Sequence, residues 1–172
     1  MLTLAEECKV INYAVPADQN SVGAMGSKSS ALYLSMKGYD KITFIVTCGA
    51  MTEADTKIKA YQAKAAGTSV SASSISSTAL TISKYWSDKS SVSSHAFAET
   101  TATSNQVPVT STNNATYIFE IEGKQLNANS AYDCVGIIGT SMSAAATYAV
   151  TAILHKARYQ RNAASMVSPM SN

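Results

Sequence analysis

Lys41-Ile42-Thr43-Phe44-Ile45-Val46-Thr47 decides the fold. From Ile42 to Val46 every residue except Thr43 is apolar and either β-branched or aromatic, the composition of a short strand buried on both faces. The run therefore reads as a central strand. Upstream, Lys37-Gly38-Tyr39-Asp40 supplies a glycine for a tight turn, and Ala31–Met36 before it is again strand-like, so an antiparallel hairpin is expected across residues 31–47. Working outward, residues 8–13, 56–63, 78–86, 116–121, 133–138 and 147–159 are similar short runs. In 56–62, Ile58 and Ala60 face one way while Lys57, Lys59 and Tyr61 face the other, the period of a strand with one wet face.

Many short strands with turn-like spacers predict a mainly β protein, an antiparallel β-sandwich of jelly-roll-like form with extended loops and terminal arms. The expected division is an N-terminal arm and first strand over 1–30, the sandwich over 31–159, and a C-terminal arm over 160–172. Phe44, Ile45, Val46, Ile118, Phe119, Cys134, Val135, Ile137, Val150 and Ile153 are the expected core. Residues 64–77 and 87–115 are dominated by Ser, Thr, Ala and Asn and read as loops, or as edges ordered by a partner.

Composition narrows the function. The 172 residues, 46% of them apolar, suffice for one domain with a core. Serine and threonine make up about a quarter of the chain and alanine is the commonest residue, which suits strands with polar outer faces. With a formal charge of +2 and only 14% charged residues there is no basic field for nucleic acid. No window is apolar enough for a membrane helix, and the start MLTLAEECKV has glutamates where a signal peptide has basic and apolar residues, so a soluble protein made in the cytosol is expected. Cys8, Cys48 and Cys134, odd in number and without metal-like spacing, read as buried free thiols.

The motifs that resemble chemistry do not assemble it. Gly139-Thr140-Ser141-Met142-Ser143-Ala144-Ala145 is similar to the nucleophile segment of subtilisin-like proteases. That triad needs an aspartate and a histidine upstream on a longer α/β scaffold, whereas the only upstream histidine, His95, lies in Ser-Ser-His-Ala-Phe. The segment reads as a connection between strands. His155 lies inside a strand-like run, without convergent metal ligands. Gly23–Ser29 lacks the adjacent glycine and lysine of a phosphate loop. Asn114-Ala115-Thr116 fits a glycosylation pattern with no secretory signal to give it effect. Glu120 and Glu122 share a strand face and read as solubilising charges, with no pocket signalled nearby. No catalytic, cofactor or metal residue is assigned.

Asn12–Asp18, Tyr33–Val46, Tyr117–Asn127, Tyr132-Asp133-Cys134-Val135 and Ala157-Arg158-Tyr159, taken in that order, resemble a family of virion structural proteins of tailed bacteriophages. The likeness spans about residues 8–160 and rests on a turn before an apolar strand, a Phe-Glu-Ile strand leading to Leu-Asn, and a late Arg-Tyr. Met36 and Gly38 depart from the family's turn. The resemblance implies a non-enzymatic protein on the capsid exterior, a decoration or cement protein whose partners are the major capsid protein and further copies of itself, with no nucleic acid and no membrane. The alternatives are a tail-tube, head-tail junction or head-fibre subunit of the same virion, and a small enzyme or carbohydrate-binding module. Tyr159, Arg161, Met166, Val167 and Met170 in the C-terminal arm are the expected partner contacts.

Overall fold

The computed structural model describes residues 8–18, 25, 27–29, 31–51, 56–65, 70–89, 96–109, 114–140 and 146–157. Among them the chain forms β1 (Lys9–Asp18), β2 (Leu34–Ser35), β3 (Tyr39–Met51), β4 (Thr56–Ala63), β5 (Ile75–Ala79), β6 (Lys84–Asp88), β7 (Ala98–Thr101), β8 (Val107–Val109), β9 (Thr116–Glu122), β10 (Cys134–Thr140) and β11 (Ala146–Ala157). The strands make two antiparallel sheets. One has six strands in the order β1-β11-β3-β9-β6-β7, and the other has the order β2-β10-β4-β5, with β8 also pairing β4. The protein is a mainly β, antiparallel sandwich, as its strand patterning predicts.

Ile42, Phe44 and Val46 of β3, Phe119 and Ile121 of β9 and Ala152 and Leu154 of β11 project inward from the six-stranded sheet. They meet Ile58 and Ala60 of β4 and Val135 and Ile137 of β10 from the other sheet in one buried cluster. Phe44 stacks on Phe119 at 5.5 Å between ring centres and takes the Tyr13 ring edge-on at the same distance. Tyr13 is the extra residue of a bulge between Asn12 and Ala14 in the β1–β11 pairing, which turns its ring into the core. Its hydroxyl donates to the Leu32 carbonyl (2.6 Å) and accepts from the Ile137 amide (2.9 Å), so a side chain of one sheet is bonded to the backbone of the other. Burial holds this phenol well above its ordinary pKa, so it stays a neutral donor.

Several expectations are corrected. Gly38 does make the turn, with φ 84°, but the turn joins no hairpin: β2 pairs β10 in one sheet and β3 pairs β11 and β9 in the other. The turn carries the chain between layers. Residues 78–86 are likewise not one strand, since they hold the end of β5, a crossing at Leu80–Ser83 and the start of β6 in the opposite sheet. Residues 64–77 contain a 3-10 turn at Ala72–Ser74 and most of β5, and residues 87–115 contain β7 and β8. The first strand, grouped with residues 1–30, is an outer strand of the six-stranded sheet. Of the expected core, Phe44, Val46, Phe119, Cys134, Val135, Ile137 and Val150 are buried. Ile45, Ile118 and Ile153 are only half-buried, because strict alternation puts them on the outer face.

Tyr61, expected on a wet face, is buried. The outer face of the five-stranded sheet carries a second apolar cluster in which Ala31, Tyr33 and Val70 cover Tyr61, Ala63, Cys134 and Ile138. Gly136 permits this cover: a Cβ there would lie 2.7 Å from the Leu32 carbonyl and 2.8 Å from the Tyr33 ring. Cys48 and Cys134 are buried free thiols, and Cys8 is half-buried. Desolvation pushes both buried thiols up to about 12, with Asp133 adding to the effect at Cys134.

Candidate functional site

The six-stranded sheet differs from its partner in that no layer of described residues covers its outer face. Register aligns Thr151, Ile45, Ile118, Trp86 and Glu99 in one row across β11, β3, β9, β6 and β7. Beside it runs Val10, Ile153, Thr43 and Glu120, and beyond that His155, Lys41 and Glu122. Val10 is 48% exposed. The face is thus an apolar stripe flanked by a polar network.

In that network Lys41 Nζ lies 2.8 Å from Glu120 Oε2, and the Thr43 hydroxyl lies 3.2 Å from Glu120 Oε1 and 2.8 Å from His155 Nε2. A threonine hydroxyl has one proton, so both contacts are satisfied when Thr43 donates to Glu120 and accepts from the imidazole N–H. A nucleophilic threonine would have to donate to the imidazole instead. Partial burial favours a neutral Glu120, but the Lys41 hydrogen bond and charge, the Thr43 bond and the His155 charge outweigh it and hold the carboxyl below its usual range. It is an acceptor, poorly suited to be a general acid at neutral pH.

Ser83, Lys84, Trp86, Glu120, Glu122, Lys124 and Gln125 line a cavity of about 350 Å³ on this face. Glu120 and Glu122 therefore do border a pocket, contrary to the sequence reading. Its charges are matched internally: Lys84 pairs with Glu99 at 3.1 Å, and Lys124 pairs with Glu122. Lys84 Nζ also lies 5.1 Å from the Trp86 ring centre. Gln125 is anchored at both ends of its amide, accepting from the Glu122 N–H (3.2 Å) and donating to the Thr81 carbonyl (3.1 Å). Prearranged, mutually neutralised groups of this kind suit hydrogen bonding to a broad polar surface.

A second cavity, of about 280 Å³, is lined by Met36, Lys37, Gly38, Tyr39, Gly123, Leu126, Ala128, Tyr132 and Asp133. Three segments of the chain, within residues 33–46, 117–127 and 132–135, meet here. Asp133 joins them: it accepts from the Ala65 amide (2.9 Å) and the Cys134 thiol (3.3 Å) and pairs with Lys37 (3.0 Å). Partial burial opposes its charge, but these bonds win and its carboxyl sits below the ordinary range. The corner is structural, a junction of turns.

Tyr159, Arg161, Met166, Val167 and Met170 lie outside the described residues, as do His95 and Ser141. Lys28, from the phosphate-loop-like string, donates to the Ser77 carbonyl (3.1 Å) and sits 4.1 Å from the Tyr61 ring centre. No group of three or more metal-ligating side chains occurs among the described residues, and no helix among them is long and apolar enough to cross a membrane. Sequence reasoning missed Trp86, Thr43 and Lys41 as neighbours of Glu120. The available signal was the alternation of Lys84, Trp86 and Asp88 with Tyr85 and Ser87, hidden by reading 78–86 as one strand. No protein-family model, curated protein or solved structure matches the chain.

Proposed function

We propose that this chain is a non-enzymatic structural protein of a tailed-bacteriophage virion, a decoration (cement) protein that binds the outside of the major capsid shell and stabilises it. The observation that carries the reading is the uncovered face of the six-stranded sheet. It offers the half-buried apolar row Ile45, Ile118 and Trp86, and charged groups already matched as Lys41–Glu120, Lys84–Glu99 and Lys124–Glu122. A surface of paired charges around small apolar patches docks over a wide area without stranding a charge, which fits wet contacts on a repeating shell. The order of turn and strand motifs that resembles phage virion proteins supports the same role. In this reading the protein is made in the host cytoplasm, works on the capsid exterior, uses no cofactor and contacts the major capsid protein and its own copies.

The test is reconstitution. Particles assembled without the protein are mixed with wild type or with a Trp86→Ala/Ile118→Ser double variant, and bound copies and particle heat resistance are measured. Wild type should coat the shell and raise heat resistance, and the folded double variant should do neither. Density on the tail alone, or full occupancy by the double variant, would overturn the reading.

A further inference from the structure

The sheets expose edges of very different character. β1 carries Pro16 and two register shifts, and β2 is only two residues long. On the far side of β4, β8 contains Pro108, and Lys28 donates to the β5 carbonyls of Ser76 (3.5 Å) and Ser77 (3.1 Å). Proline, bulges, brevity and an edge lysine are the devices that stop a strand from pairing with another chain. β7 is short, at four residues, but carries no proline, no lysine and no bulge. It pairs β6 without a register shift from Lys84↔Thr101 to Ser87↔Ala98, all four of its residues are exposed, and Phe97 before it is 49% exposed. After β7 the chain turns through Ser104 and Asn105, both with positive φ, and leaves for β8 in the other sheet.

The direction of the free groups follows from the ladder. The Ala102 amide donates to the Ser83 carbonyl at 2.9 Å, so in an antiparallel pair Thr100 and Ala98 also turn their backbone groups toward β6. Glu99 and Thr101 turn theirs outward. We propose that the β7 edge is the self-association site of this protein, where a second copy adds its own β7 antiparallel about a two-fold axis at Thr100. In that register each Glu99 pairs with the second copy's Thr101, so both outward-facing residues exchange backbone bonds. Ala98 faces Ala102, two small residues that allow close approach. Charge also fits. The two Glu99 carboxylates avoid each other, each held by its own Lys84 at 3.1 Å and with the second copy's Lys84 further along the same row. An isologous pair closes as a dimer, and the guarded β1 edge at the other end of each sheet prevents open-ended growth.

Sedimentation of the full chain from micromolar to millimolar concentration tests this, with hydrogen exchange on the same samples. The wild type should dimerise reversibly, and the Glu99 and Thr101 amides should gain protection as the dimer forms. Thr101→Pro removes an outward N–H that β6 does not use, so it should melt like wild type yet dimerise at least about tenfold more weakly. Glu99→Lys should also weaken the dimer, and adding Lys84→Glu should restore it. A chain monomeric throughout, open-ended polymers, or a dimer that Thr101→Pro leaves unchanged would overturn the proposal. Should Thr101→Pro fail to fold, the charge swap decides: association unaffected by Glu99→Lys overturns it as well.

Discussion

The two sheets solve the same burial problem differently. The five-stranded sheet is covered on both faces, by the main core within and by Ala31, Tyr33 and Val70 without. The six-stranded sheet is buried on one face and leaves Ile45, Ile118, Ile153 and Trp86 half-covered on the other. A β-branched residue in a strand is thus no measure of depth. Its phase in the alternation decides whether it holds the fold or faces outward.

The sharpest way to break that comparison is a pair of neighbours. Phe44 is fully buried between Tyr13 and Phe119, so Phe44→Ala should cost about 3–5 kcal/mol, whereas Ile45→Ala, one position on and half-exposed, should cost about 1 kcal/mol. Denaturant melts of the two variants check it, and equal losses would refute the assignment of faces. The covered sheet has its own weak point. Gly136→Ala forces a methyl group to within 2.7 Å of the Leu32 carbonyl, which should destabilise by about 1–3 kcal/mol. An unchanged melting temperature would mean that the Leu32–Tyr33 segment is not held against β10.

The smallest effect concerns acid. Asp133 and Glu120 each sit below their ordinary pKa, so the unfolded chain binds protons that the folded chain refuses. Their stabilisation is complete above the unfolded carboxylate range of about pH 4 and is lost as pH falls through the folded values. Stability measured from neutral to strongly acid pH should therefore decline more shallowly in Asp133→Asn and Glu120→Gln than in wild type. Identical acid limbs would show that neither carboxylate is held in the folded state.

Much of the sandwich was legible because alternation and β-branching report strands directly, as at β3, β4, β9 and β10. Even the phase of β3 was available, since Thr43 marks the outer set and Ile45 shares its parity. Residues 78–86 misled for a physical reason: Leu80 and Ile82 remain buried through the crossing, so hydrophobic alternation continues where backbone pairing has changed sheets. β7 left no apolar signal at all, because both its faces are exposed and only pairing with β6 defines it. The outer-face network depended on register, which brings Lys41 and Glu120 together across 79 positions of sequence, and no local pattern encodes that.

The pairing of β1 with β11, residue Lys9 opposite Leu154, also dictates when this protein can fold. β11 lies between β1 and β3 in the sheet, so on the ribosome β1 waits without a partner and β3 with one side unmatched until β11 has emerged. Closure of so long a loop is slow, and the waiting strands are sticky. Synthesis from a truncated message ending before residue 146 should accordingly yield insoluble product, while a message that extends past β11 should yield folded protein.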